Sequence, residues 1–174
     1  MSYRSDRKWS DRFLPAIKGI VGPYLLEESS YEVDTQQASD LVVMQAGAVS
    51  IACRIRRQGF ADRYTHEFTV RAMRETGAKT ELEKVIDGWA DWMFYGHVED
   101  AARPGLGFSL WHLIDLRAWR AHLIRRPEIL RDAPTIPNGD GTYFKAFDLT
   151  TFDGDPPILI ASNLDHYLEG RGAA

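Results

Sequence analysis

The stretch Tyr31–Arg71, YEVDTQQASDLVVMQAGAVSIACRIRRQGFADRYTHEFTVR, decides how this chain is read. Two runs in it, Asp40–Gln45 and Val49–Arg56, alternate as strands do. Ala46-Gly47-Ala48 between them fits a short hairpin loop, with Gly47 free to take a positive φ. A three-residue loop sets Asp40 opposite Arg54, Leu41 opposite Cys53 and Val43 opposite Ile51. One face then carries Leu41, Val43, Ile51, Cys53 and Ile55, and the other carries Asp40 and Arg54 as an ion pair, with Arg56 beyond. A two-residue loop mixes the faces, because a one-residue slip turns every side chain over. The next run, Thr65–Arg71, sends Phe68 and Val70 one way and Glu67, Thr69 and Arg71 the other. Laid beside the hairpin, it brings Glu67 towards Asp40. The outcome is either a carboxylate pair among arginines or a solvated face whose ion pairs are worth about 0–1 kcal/mol each.

The 174 residues suit one domain, expected over 1–168, with a disordered tail at 169–174. The chain is 44% hydrophobic and 26% charged, with a net charge of −4. That balance excludes a uniformly basic nucleic-acid coat, so a polyanion would need a local patch. Arg54, Arg56, Arg57, Arg63, Arg71 and Arg74 crowd the central stretch and can form one. Cys53 is the single cysteine, so no disulfide forms within the chain, and its alternation points it into the core as a small hydrophobe. The N-terminal apolar run FLPAIKGIVG is broken by Pro15, Lys18 and Gly19, and no stretch is long enough to span a bilayer. The expectation is a cytoplasmic protein without membrane contact.

Outside the central stretch, Ser10–Leu26 reads as a helix, kinked or ended by Gly22-Pro23. Thr80 and Glu83 have capping-box spacing for a helix over Thr80–Ile86, with Gly88 as its stop. Trp89–Val98 reads as a buried aromatic strand ending at a surface histidine, His97. Leu110–Arg126 has helical spacing, with Arg117, Arg120, Arg125 and Arg126 on or beside its polar side. Tyr143–Leu149 and Ile158–Ala161 read as late strands. No P-loop, GxGxxG, HExxH or GxSxG occurs.

Asp40 in SDLVV, the strand IACRIR (Ile51–Arg56), Phe60 with Glu67, Gly88-Trp89 with Asp91 and Tyr95, and Leu116-Arg117-Ala118-Trp119 follow one another in a recognisable order. Over about residues 30 to 125 that order resembles the PD-(D/E)XK nuclease superfamily, phage-associated members in particular. The resemblance implies a restriction-endonuclease-like α/β fold: a mixed central sheet flanked by the N-terminal helix and the Leu110–Arg126 helix. It implies DNA as partner and metal-dependent phosphodiester hydrolysis, with Mg²⁺ or Mn²⁺ on Asp40 and Glu67. Arg54 would stabilise developing charge, while Arg56, Arg57, Arg71 and Arg117 would contact phosphates. Glu28 and Asp34 are reserve acids.

One departure matters. Where the family has acid-x-Lys, this chain has Ala52-Cys53-Arg54. Arginine stays protonated at neutral pH and cannot act as a base, but it can stabilise an anion. Three readings follow: a nuclease with a displaced site, a nuclease scaffold kept for DNA binding, or an interaction protein such as a phage-type accessory factor or an inhibitor of a host enzyme.

Overall fold

Trp92–Val98 is the strand around which the chain is assembled, and all of its residues are buried. In the computed structural model, residues 3–28, 41–43, 48–74, 79–138 and 141–172 are described. They form a mixed α/β structure. Helices α1 (Tyr3–Asp11) and α2 (Leu14–Val21) lead to strands β1 (Leu26–Glu28), β2 (Leu41–Val43), β3 (Ile51–Arg56) and β4 (Glu67–Arg74). Helix α3 (Glu81–Ile86), strand β5 (Trp92–Val98), strand β6 (Phe108–Asp115) and helix α4 (Leu116–Arg125) follow. The chain continues through α5 (Glu128–Asp132), β7 (Thr135–Pro137), β8 (Thr142–Asp148), β9 (Leu159–Ser162) and α6 (Leu164–Gly172).

The strands make a four-stranded sheet in the order β3-β5-β6-β9, a three-stranded sheet β4-β8-β7 and the small pair β1-β2. Strand β3 runs parallel to β5, while β6 and β9 are antiparallel additions. Opposed residues in a ladder share a face. Ile51, Cys53 and Ile55 therefore lie on the side of Trp92, Phe94 and Gly96, whereas Ala52, Arg54 and Arg56 lie on the side of Met93, Tyr95 and His97. On the first side, Trp92, Phe94 and Leu113 pack on Ile17 and Val21 of α2. On the second, Met93, Tyr95 and Ile114 join Phe68 and Val70 of β4, Phe147 of β8, Leu82 and Val85 of α3, and Trp119 of α4. An apolar layer on each face explains why β5 has no exposed residue.

Several expectations are corrected. Among the described residues β2 and β3 do not form the expected hairpin: β2 pairs with β1, β3 pairs with β5, and the two lie in different sheets. The loop at Ala46-Gly47 and the ion-pair acid Asp40 lie outside the described residues. Leu110–Arg126 is not one helix: strand β6 runs to Asp115, whose carboxylate accepts from the backbone N–H of Arg117 (2.7 Å) and Ala118 (3.1 Å) and starts α4 there. Apolar spacing alone does not separate a buried strand from a helix turn. Ser10–Leu26 is likewise two helices, with Pro15 in the first turn of α2. The C-terminal helix α6 runs to Gly172, past the expected end of the ordered chain at 168. The helix at Thr80–Ile86 has its full capping box: Thr80 and Glu83 bond reciprocally.

His97 is not on the surface. It is fully buried, and neither ring nitrogen has a hydrogen-bond partner. It belongs to the side of β5 that faces the main core, which a terminal position in the sequence does not reveal. Nearby His112 is also buried, its Nε2 donating to the Thr65 carbonyl (3.1 Å). Burial pushes the pKa of each down to about 4, with Arg56 and His112 adding to the shift at His97 and His66 adding to that at His112.

Two outcomes follow. A Cβ added at Gly96 would lie 2.6 Å from the Phe108 ring and 2.7 Å from the Phe94 ring, so Gly96→Ala overpacks the α2 side of the sheet. It should lower the unfolding free energy by about 1–3 kcal/mol in urea titrations. The unfolded chain takes up protons on its histidines near pH 6.5, whereas folded His97 and His112 take theirs up near 4. Their contribution to stability is therefore complete above about pH 6.5 and is lost as pH falls towards 4. Melting temperatures measured between pH 7.5 and 5 should fall, and His97→Phe should flatten that dependence.

Candidate functional site

Strand β3 ends its sheet among the described residues, and no described strand pairs with its other long side. Along that side lies a cleft of about 1350 Å³, walled by α1, β3, β4, the first turn of α3 and the β7–β8 turn. Period-two alternation places Arg54 and Arg56 on one side of β3 and Glu67, Thr69 and Arg71 on one side of β4, and all five line the cleft. Among the described residues it is lined by six cationic side chains, Arg7, Arg54, Arg56, Arg57, Arg71 and Lys84, against three carboxylates, Asp11, Glu67 and Glu81.

Arg54 is the fixed member. Its Nη1 donates to Glu81 Oε2 at 2.7 Å, its Nε donates to Thr69 Oγ1 at 3.2 Å, and its Cζ lies 4.7 Å from the centre of the Phe144 ring. The same Glu81 oxygen accepts the backbone N–H of Arg71 at 3.0 Å. Thr69 Oγ1 in turn lies 3.3 Å from the Tyr95 hydroxyl. With only 13% of its side chain exposed, Arg54 has its pKa lowered by burial, and the Glu81 charge opposes that shift. The guanidinium is cationic here as elsewhere.

Arg56 is held differently. Its Cζ lies 5.4 Å from the Phe60 ring and 5.7 Å from the Phe144 ring, so it meets two aromatic faces. Arg57 lies 5.1 Å from the Trp9 ring. Arg71 has a fully buried Nε with no hydrogen-bond partner. Among the described residues, Arg56, Arg71 and Lys84 make no ion pair, whereas Asp11 is matched by Arg7 and Glu81 by Arg54. A buried donor without an acceptor is costly, and an anion would relieve the cost.

The expected site residues thus separate. Arg54, Arg56, Arg57, Glu67 and Arg71 share the cleft. Arg117 does not line it: its Nε binds Asp91 Oδ1 at 3.0 Å, and Asp91 Oδ2 accepts the Ser50 N–H at 2.9 Å, a brace between the start of α4 and the entry to β3. Asp40 and Asp34 lie outside the described residues, and Glu28 ends β1 opposite Leu41. The cross-strand partner of Glu67 is Asp148 of β8. Asp148 is occupied in capping the following turn, accepting from the N–H and hydroxyl of Thr150. Among the described residues no group of three or more His, Cys, Asp or Glu is placed to hold a metal ion. Cys53 is exposed in the cleft wall rather than in the core, on the end strand of its sheet among the described residues.

Sequence reasoning missed Trp9, Tyr64, Lys84 and Phe144, which line the cleft from four separate segments. It also missed the role of Glu81. The capping box placed Glu81 in the first turn of α3, but nothing local shows that this turn reaches Arg54.

Guanidinium groups interleaved with aromatic rings suit a ligand that is both anionic and flat. Glu67 opposes such a ligand. Burial raises its pKa above the ordinary carboxylate range, Asp148 adds to the shift and Arg56 counters it. Anion binding should therefore tighten as pH falls and Glu67 takes up its proton. Glu67→Gln should bind a polyanion such as heparin or oligonucleotide several-fold more tightly at pH 7.5, and the tightening on acidification should weaken, as read by fluorescence anisotropy. Comparison with protein-family models, with curated proteins and with solved structures finds no match to this chain.

Proposed function

We propose that this chain binds nucleic acid, holding the phosphodiester backbone in the arginine cleft beside β3. The observation that carries this reading is the state of three arginines in one cleft. Among the described residues Arg54 is neutralised and fixed by Glu81, Arg56 lies against two rings without an ion pair, and Arg71 has a buried, unpartnered Nε. The cleft exceeds the roughly 300–1,000 Å³ usual for small-molecule pockets. Cationic grooves with aromatic side chains are how proteins track a strand while stacking its bases. With a net charge of −4, long-range attraction does not supply this affinity, and the local cluster must.

The resemblance to PD-(D/E)XK nucleases agrees with DNA as the ligand and with a nuclease-derived scaffold. Hydrolysis with Mg²⁺ or Mn²⁺ would need Asp40 together with Glu67. Asp40 lies outside the described residues, and Asp148, which faces Glu67 across the ladder, is taken up by Thr150, so the binding reading routes no step through a metal.

The test is anisotropy with labelled oligonucleotides over a salt series. Contact with about three or four phosphates predicts that log K falls against log salt with a slope of about −2 to −3 for a single strand. Arg56→Ala and Arg71→Ala should each weaken binding about tenfold, the equivalent of about 1.4 kcal/mol, and flatten the slope. Arg54→Ala is a poor probe, because it strands the Glu81 carboxylate and costs stability. Binding that is unchanged in both variants, or insensitive to salt, would overturn the reading.

A further inference from the structure

Trp89 is 62% exposed, the most exposed of the chain's large aromatic side chains among the described residues. Its backbone is hydrogen-bonded on both sides nonetheless. Gly88, at φ 81°, turns the chain out of α3, and the Trp89 N–H donates to the Lys84 carbonyl at 3.0 Å. Arg120 of α4 donates through Nη1 to the carbonyls of Val85 and Ala90, at 3.0 Å each, and clamps the segment on both sides of the tryptophan. The side chain is therefore presented to solvent from a fixed base, although nothing in the core uses it.

Two lysines lie over its ring, Lys79 Nζ at 5.2 Å from the centre and Lys84 Nζ at 5.6 Å. Lys79 is matched by an ion pair to Asp87, and Glu83 is bound by Thr80. Lys84 has no ion pair among the described residues, and it also lines the arginine cleft. One cation thus borders both the cleft and the exposed indole.

We propose that the nucleic-acid path continues out of the cleft across Lys84 to Trp89, and that the ligand is single-stranded. This rests on the binding reading above and narrows it. Stacking on an indole needs an unpaired base face, which a duplex does not offer along its length. Lys84 would take the phosphate between the cleft and the stacked base, and Trp89 would act as a platform indifferent to base identity.

The experiment measures anisotropy with labelled oligothymidylates of about 4 and about 16 nucleotides, spanning the range of common single-strand site sizes. The proteins are wild type, Trp89→Ala, Trp89→Phe and Arg56→Ala, with unchanged melting temperature as the folding control. Wild type should bind the long strand more tightly than the short one and more tightly than a duplex of equal length. Trp89→Ala should lose roughly five- to hundredfold on the long strand and little on the short one, whereas Trp89→Phe should keep most of the affinity. Arg56→Ala should weaken both lengths. If Trp89→Ala binds the long strand like wild type while Arg56→Ala is weakened, the extended path is wrong and the cleft reading stands. A preference for duplex overturns the path as well. If wild type binds none of these strands at low salt, both readings fail together.

Discussion

The ion pair between Arg54 and Glu81 is the constraint on which the functional face depends. Arg54 belongs to the edge of the four-stranded sheet, and Glu81 to the first turn of the helix that follows β4. A guanidinium this poorly exposed needs a counter-charge and acceptors for its N–H groups. Glu81 supplies the charge and Thr69 of β4 a further acceptor, and the same carboxylate oxygen also accepts the Arg71 N–H. One carboxylate thus ties β3, β4 and α3 together. Removing either partner leaves a charge stranded between elements that are otherwise joined through apolar packing.

That arrangement also distributes the remaining charge. Glu81 is used up on Arg54, and Asp11 lies beside Arg7. What is left over is positive: Arg56 stacked on rings, Arg71 with an unmet donor, and Lys84 at the mouth. Among the described residues Glu67 is the carboxylate set against this excess, and burial raises its pKa. The polarity of the cleft comes from which cations found partners during folding, and the total count of charges would not have shown it. A chain of net charge −4 can in this way carry a cationic groove.

The strand pairing explains why a cleft exists at all. A hairpin of β2 with β3 would have covered the side of β3 on which no described strand pairs. The parallel pairing of β3 with β5 instead buries the inner side of β3, and its outer side borders α1 and the β7–β8 turn. Edge strands are usually protected against association with another chain. Here Arg54 and Arg56 on one side of the strand, and Arg57 just after it, place charge at that edge.

Much of this was legible in residues alone. Alternation located β3, β4 and β8 and set the inward direction of Phe68 and Val70, because a period of two survives whatever the neighbouring strand is. The capping box at Thr80–Glu83 marked α3, since a cap is satisfied within four residues. The clustering of arginines in the central stretch was visible, and so was the sharing of one side by Arg54 and Arg56. The tertiary structure alone decided the rest. Which strand lies beside β3 depends on contacts across the β4–α3 crossover, so the local hairpin pattern pointed to a different strand partner from the β5 that β3 has. His97, Phe144, Glu81 and Trp9 have no signature in the sequence, because burial and ion pairing belong to pairs of residues far apart in the chain. Residue types and their periodicity are properties of short segments; the vacancy of a charge is a property of the folded whole.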